Sequence, residues 1–363
     1  MDTDKAVEFQ RVSKRYGADT VVDTVDLSIG KGEFFVLIGP SGCGKTTTLK
    51  MINRLVAPSS GRITVRGQDI SALDPVELRR SIGYVIQHVG LLPHLTIQDN
   101  ITFVLQLRKT PRARMEEKAA ELIQKVGLPV SYLKRHPREL SGGQQQRVGV
   151  ARALAADPEI LLMDEPFGAI DPITREQLQN ELLRLQQSIR KTIVFVTHDM
   201  QEAFKLGDRV AIMKQGRLAA CSAPLDIVRS RDDFIHSFVG GGAVFEVLDS
   251  VPVSRVMDDG AATVAVGATF PEAGPDYVFV ADERGRCIGW AARPADPGAG
   301  TVAEDLIRPI DRSCAPELSA KSAVEEMLRA GRSWLPVLSE DRKLLGVATF
   351  EACAGLIAAG RDL

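Results

Sequence analysis

The eight residues Gly39-Pro40-Ser41-Gly42-Cys43-Gly44-Lys45-Thr46 have the spacing G-x-x-x-x-G-K-[ST], which suits a chain of phosphates. Glycines let the backbone curl until successive N–H groups face an anion, and a helix starting at the loop adds the partial positive charge of its N-terminus. Lys45 is then placed to reach the outer phosphates. The hydroxyl of Thr46, with Thr47 beside it, is placed for a Mg²⁺ that bridges them, because Mg²⁺ takes hard oxygen ligands. A second set, Ile160-Leu161-Leu162-Met163-Asp164-Glu165-Pro166, is an apolar run ending in two acids. Asp164 is suited to hold Mg²⁺ through its water shell and Glu165 to polarise an attacking water. A third, Ser141-Gly142-Gly143-Gln144, puts a hydroxyl and two glycines at the start of a helix, where unsatisfied N–H groups and the helix dipole attract a further anion. Together these residues point to hydrolysis of a nucleoside triphosphate.

Such residues need a rigid frame. Phe34–Ile38, Ile160–Met163, Thr192–Val196 and Arg209–Met213 are short apolar runs of the kind a buried parallel strand requires. Between them, Thr46–Ile52, Asp74–Arg80 and Arg112–Val126 read as helices, the last with Met115, Ala119, Leu122, Ile123 and Val126 on one face. Alternation of strands and helices from Val7 to about Val239 implies an α/β nucleotide-binding domain with a helical insertion. The glycines 240–242 then close it, and a tail rich in Ala, Gly and Pro follows. In the tail, Tyr277–Trp290 and Leu335–Thr349 each read as two strands around a charged turn, so the tail contains two copies of one small module.

Composition narrows the partners. The 363 residues include 45 basic and 47 acidic ones, a formal charge of −2 that offers no global attraction to nucleic acid. Five cysteines, at 43, 221, 287, 314 and 353, have no metal-type spacing and imply a reducing, cytoplasmic setting. No run of 18 apolar residues occurs and the first residues lack an apolar signal core, so a membrane role must pass through a partner.

The string Leu140-Ser141-Gly142-Gly143-Gln144-Gln145-Gln146-Arg147 closely resembles the signature of the ATP-binding-cassette family, and the resemblance covers most of the first 240 residues. It implies a P-loop cassette with a RecA-like sheet core and a helical subdomain, working with ATP and Mg²⁺. It also implies roles for single residues. Tyr16 would stack on adenine. Gln87 would contact Mg²⁺ and the attacking water and relay the state of the site to a transmembrane partner. Gly168-Ala169-Ile170-Asp171 matches the loop that links two nucleotide sites, with Ile170 where leucine is usual, and His198 matches the histidine that contacts the γ-phosphate. Family members pair head to tail, so a homodimer is expected, with Ser141 of one copy closing on ATP held by the other.

One cassette without membrane spans is similar to the energising subunit of a bacterial importer, peripheral on the cytoplasmic face of the membrane and served indirectly by a substrate-binding protein. Met51-Ile52-Asn53-Arg54-Leu55 and the stretch Tyr84–Thr96 resemble importers of quaternary-amine osmoprotectants such as glycine betaine, carnitine or choline. The absence of a helical extension before the cassette favours the shorter osmoprotectant type. Two alternatives are an importer subunit for an amino acid or polyamine, and a soluble non-transport ATPase of the family. Translation members usually carry two cassettes and repair members a long coiled coil, and this sequence has neither. The tail modules resemble cystathionine-β-synthase (CBS) domains. The expected organisation is a cassette over 1–240, a linker over 241–250, a degenerate CBS-like module over 251–297 with only Gly267–Asp276 where its middle helix belongs, and a fuller one over 305–363 with its helix at Ser322–Ala330. Thr349 is followed by Phe350, Glu351 and Ala352 rather than by the ribose-binding Asp of nucleotide-binding modules, so AMP or ATP is not expected there. Related tails respond to ionic strength or cyclic di-AMP, and a tail that only strengthens dimerisation is the plain alternative.

Overall fold

The computed structural model describes residues 5–87, 90–168, 170–261, 263–271, 275–293 and 300–358, with the side chains of 241–246, 357 and 358 not described. His88, Val89 and Ala169 of the motifs above, and parts of both tail modules, lie outside the described residues. The chain divides into two compact units, Met1–Ile227 and Val228–Leu363.

The first unit begins with two long strands, β1 (Lys5–Tyr16) and β2 (Asp19–Gly30), followed by β3 (Phe34–Ile38) and helix α1 (Lys45–Ile52). Then come β4 (Ser60–Val65), β5 (Gln68–Asp69), α2 (Pro75–Ser81) and β6 (Ile82–Val85). Three helices form the insertion: α3 (Ile97–Leu107), α4 (Arg112–Lys125) and α5 (Gly142–Leu154). The remainder is β7 (Ile160–Asp164), α6 (Pro172–Ile189), β8 (Thr192–Val196), α7 (Met200–Leu206), β9 (Arg209–Lys214), β10 (Arg217–Ser222) and α8 (Pro224–Val228).

Six of these strands form one sheet in the order β10-β9-β3-β8-β7-β6, parallel except for the β9–β10 hairpin. All five residues of β3, β7 and β8 are buried, as strands covered on both faces must be. The second sheet, β2-β1-β4-β5, is antiparallel. Val7, Phe9 and Val12 of β1 share one core with Phe35 and Leu37 of β3 and with Leu49, Met51 and Ile52 of α1. The order of the parallel strands decides the site, because it sets the C-terminal ends of β3, β8, β7 and β6 side by side, where ligands of such sheets bind.

In the second unit, α9 (Asp233–Ser250) leads to β11 (Thr263–Ala265), β12 (Tyr277–Ala281) and β13 (Cys287–Ala292). These are followed by α10 (Ala320–Ala330), β14 (Trp334–Leu338), β15 (Leu344–Thr349) and α11 (Phe350–Ala358). The run 241–250, expected as a linker, is helical. Gly240, at φ 64° and ψ 163°, makes a kink inside α9 instead of ending a domain, and Leu248 packs in the same core as Ala323 and Met327 of α10 and Leu335 of β14. The packing boundary therefore falls at 227/228, ahead of the glycines.

The two expected modules also exchange chain. Asp258 exchanges backbone hydrogen bonds with Val347 of β15, and Trp290 of β13 with Arg308. Residues ahead of each strand pair thus bond to the other pair. Tyr277 stacks on Trp334 with ring centroids 4.2 Å apart, and Trp290 meets Trp334 edge-on, so an aromatic core joins β12–β13 to β14–β15.

Candidate functional site

The glycines of the phosphate loop are required by space as well as by φ. A Cβ on Gly39 would lie 2.3 Å from the Met213 carbonyl oxygen, and one on Gly44, at φ 105°, would lie 2.6 Å from that of Val21. Gly44 caps α1, so the N–H groups of the helix start open toward the loop. Lys45 is buried and donates to the carbonyls of Gly39 (2.7 Å) and Pro40 (3.0 Å). Cys43 is buried as well, and burial raises its thiol pKa, so it acts as packing under the loop. Pro40, Ser41 and Gly42 are exposed.

At the end of β7, Asp164 accepts a hydrogen bond from Thr46 Oγ1 at 2.9 Å and contacts the Tyr84 hydroxyl at 3.5 Å. Burial raises the Asp164 pKa, against the opposing effects of the Thr46 hydrogen bond and the nearby Lys50. Thr46 and Asp164 together present hard oxygens of the kind Mg²⁺ takes when phosphates complete its shell. Among the described residues no group of three or more His, Cys, Asp or Glu could hold a metal by itself.

The next residue turns the chain. Glu165 sits at φ 44°, a left-handed conformation rare for a glutamate, and its N–H donates to Val196 O of β8 at 2.9 Å. This conformation brings Glu165 Oε2 within 3.2 Å of Gln87 Nε2 and 3.1 Å of His198 Nδ1. Three side chains from the ends of three different strands thus meet at one carboxylate oxygen. Sequence order separates them by up to 111 positions, and strand order alone makes them neighbours.

Other residues expected at the site lie outside this cluster. Ser141 caps α5, and its hydroxyl and the Gln144 side chain are engaged in a reciprocal capping box: Ser141 N donates to Gln144 Oε1 at 3.0 Å and Gln144 N to Ser141 Oγ at 3.4 Å. A Cβ on Gly142 would meet nothing within 4 Å, whereas one on Gly143 would meet Thr174 Cγ2 at 2.9 Å. Asp171 caps α6 by accepting from Thr174 N at 3.0 Å, the backbone donor that chiefly lowers its pKa. Tyr16 is half exposed at the end of β1, with Lys14 Nζ 4.8 Å from its ring centroid. Thr47 is half-buried in the first turn of α1.

Sequence reasoning missed Tyr84 and a buried polar group behind His198. Thr197 Oγ1 donates to Glu202 Oε2 at 2.6 Å, and Gln179 Nε2 to Glu202 Oε1 at 3.2 Å. Two cues were available: Tyr84 lies three residues before Gln87 in an apolar strand, and Glu202 lies in the first turn of a short helix directly before the apolar pair Ala203-Phe204.

A sheet whose strand ends present a G-x-x-x-x-G-K-T loop, a buried aspartate and a carboxylate met by Gln87 and His198 has the plan of a P-loop ATPase. The family model described as ABC transporter matches residues 22–168. Over 94% of this chain and 93% of its own length, the choline transport ATP-binding protein OpuBA of Bacillus subtilis is 44% identical. The osmoprotectant import ATP-binding protein OsmV of Salmonella typhimurium is 41% identical over 97% of this chain and 95% of its own. A solved dimer of the ATP-binding cassette MJ0796, bound to ADP and phosphate, superposes with a TM-score of 0.55 at 35% identity over 60% of this chain and 98% of that one. The chain belongs to the ATP-binding subunits of the ABC transporter family.

Proposed function

We propose that this protein is the ATP-hydrolysing subunit of a membrane importer for quaternary-amine compatible solutes of the glycine betaine, carnitine and choline type. The observation that carries the ATPase half is the meeting of Gln87, Glu165 and His198 beside the Thr46–Asp164 pair. The substrate class rests on relatives named for choline, for glycine betaine, carnitine and choline, and for osmoprotectants, each matched over more than nine-tenths of its length. No helix among the described residues is long and apolar enough to cross a membrane, in keeping with a peripheral subunit that drives a separate permease from the cytoplasmic side.

In this reading the backbone of Gly39–Thr46 wraps the phosphates, Lys45 leaves its carbonyl partners for the outer phosphates, and Tyr16 offers a face to adenine. Thr46 and Asp164, with Gln87 beside Glu165, would hold Mg²⁺, which would supply neutralisation of phosphate charge. Glu165 accepts a proton from the attacking water and His198 contacts the γ-phosphate. Because Ser141 is exposed and lies outside this group, its anion-binding end serves a second copy, and two cassettes enclose two shared ATP molecules. Asp171 lies at the seam between them. Closing on ATP and reopening after hydrolysis is the stroke delivered to the permease.

Residues 251–297 and 305–363 are read as a degenerate and a fuller CBS module that regulate the cassettes in response to ionic strength or cyclic di-AMP. The interlocked strand pairs support a single paired unit over two independent modules. Two measurements test the scheme. Glu165→Gln should leave ATP-bound dimers with little turnover, and undiminished phosphate release would sink the assignment. Truncation after about residue 245 should remove the salt dependence of ATPase; an unchanged response would leave the tail a dimerisation device.

A further inference from the structure

Arg175, at the close of the first turn of α6, reaches two loops that come from different parts of the chain. Its Nη2 donates to the Ile170 carbonyl at 3.0 Å, and its Nη1 lies 3.5 Å from Asp199 Oδ2, the residue after His198. Its Nε, buried and without a hydrogen bond, lies 3.9 Å from Glu202 Oε1. Glu202 is 4% exposed and returns to the histidine loop through Thr197, whose Oγ1 also accepts from Asp199 N at 3.0 Å. Gln179, one turn along α6 from Arg175, donates to the same oxygen, Glu202 Oε1, at 3.2 Å, while Thr197 takes Oε2. A planar guanidinium suits this place because its donors point in fixed directions and can engage the two loops together.

We propose that Arg175 and Glu202 are positioning residues that tie the Ile170–Asp171 segment to the His198 turn, so that a shift of Ile170 sets the place of the histidine against Glu165. This rests on the ATPase reading above. Neither residue touches the reacting atoms. Their effect travels through the Ile170 carbonyl on one side and through Asp199 and Thr197 on the other. Since Asp171 follows Ile170 at the seam with a second copy, the arrival of that copy is felt at His198 through one arginine.

The test is steady-state phosphate release by the full chain, comparing wild type with Arg175→Met, Arg175→Lys, Glu202→Gln, His198→Ala and the Arg175→Met/His198→Ala double variant. Misplacing a catalytic contact without removing it should lower kcat roughly tenfold or more. Uniform binding of ATP should persist, with KM within about twofold of wild type. Arg175→Lys should behave as Arg175→Met, because a single ammonium cannot span both loops. The double variant should be no slower than His198→Ala alone, since residues acting through one another are not additive. A kcat within about twofold of wild type for both Arg175→Met and Glu202→Gln would overturn the proposal. So would multiplied losses in the double variant, or losses that follow a lowered melting temperature. If Arg175→Met fails to fold, Arg175→Lys and Glu202→Gln carry the comparison. Absence of phosphate release by the wild type would instead remove the ATPase reading itself.

Discussion

The buried acids beside the cassette site and the surface acids of the tail are held in opposite ways. Beside the cassette site, Asp164 and Glu202 are buried, and burial raises both of their pKa values despite hydrogen bonds that oppose the rise. In the tail, Glu326 is lowered chiefly by hydrogen bonds from Arg312 and Arg329, and Asp282 chiefly by the backbone N–H of Arg286. The tail buries aliphatic side chains and a small aromatic group that includes Phe279 and Trp334, with Arg332 lying 4.7 Å from the Trp334 centroid. The strand-end cluster keeps costly carboxylates out of water, whereas the tail acids named here are paired at the surface. Replacing one polar group in the first unit should therefore cost turnover, and replacing one ring in the second should cost stability.

The largest expected effect is at Glu165. Glu165→Gln should slow phosphate release by roughly a hundredfold to a thousandfold with little change in melting temperature, measured by phosphate assay and calorimetry on one preparation. A matching loss of stability would break the contrast, since it would make the cluster structural. Next comes Trp334→Ala, which should cost the tail about 3–5 kcal/mol by denaturant titration while leaving ATPase within about twofold. A collapse of ATPase would show that the intact tail is needed for turnover. Gly142→Ala sharpens the contrast within the cassette. No neighbour of this chain obstructs the new methyl group, and the helix start gains up to about 1 kcal/mol. Phosphate release should nonetheless fall where a second copy must close on that surface, and unchanged turnover would argue against the shared site.

The smallest effect is a difference in pH dependence, and its sign differs between units. A lowered folded pKa, as at Glu326, gives stability that is present above the ordinary carboxylate pKa and is lost as pH falls through the lowered value. Glu326→Gln should thus flatten the acid loss of tail stability. A raised folded pKa, as at Glu202, makes stability fall as pH rises from the ordinary value through the raised one, because the folded state holds the proton longer. Glu202→Gln should remove that fall. Melting curves of both variants between about pH 3 and 7 would show it, and parallel shifts in the two units would contradict it.

Legibility followed locality. Phe34–Ile38 and Thr192–Val196 were readable to the residue because strands buried on both faces are continuous apolar runs bounded by turns. The β1–β2 pairing was not, since register shifts between Phe9 and Val12 and between Val12 and Lys14 break the alternation that would announce it. The glycines at 240–242 looked like a boundary and proved to be a kink, because one left-handed residue can redirect a helix while packing of Leu248 keeps its second half in the tail.

The sequence by itself pointed to the phosphate loop, the acids that end β7 and the cap at Ser141, because each depends on residue types at short, fixed spacing, while Gln87 and His198 were legible only through resemblance to the family. Tertiary structure alone decided that Gln87, Glu165 and His198 meet at one oxygen and that Arg175 stands between two loops. Those contacts follow from the order of parallel strands, which is settled by burial of the whole sheet and is written in no single segment of the chain.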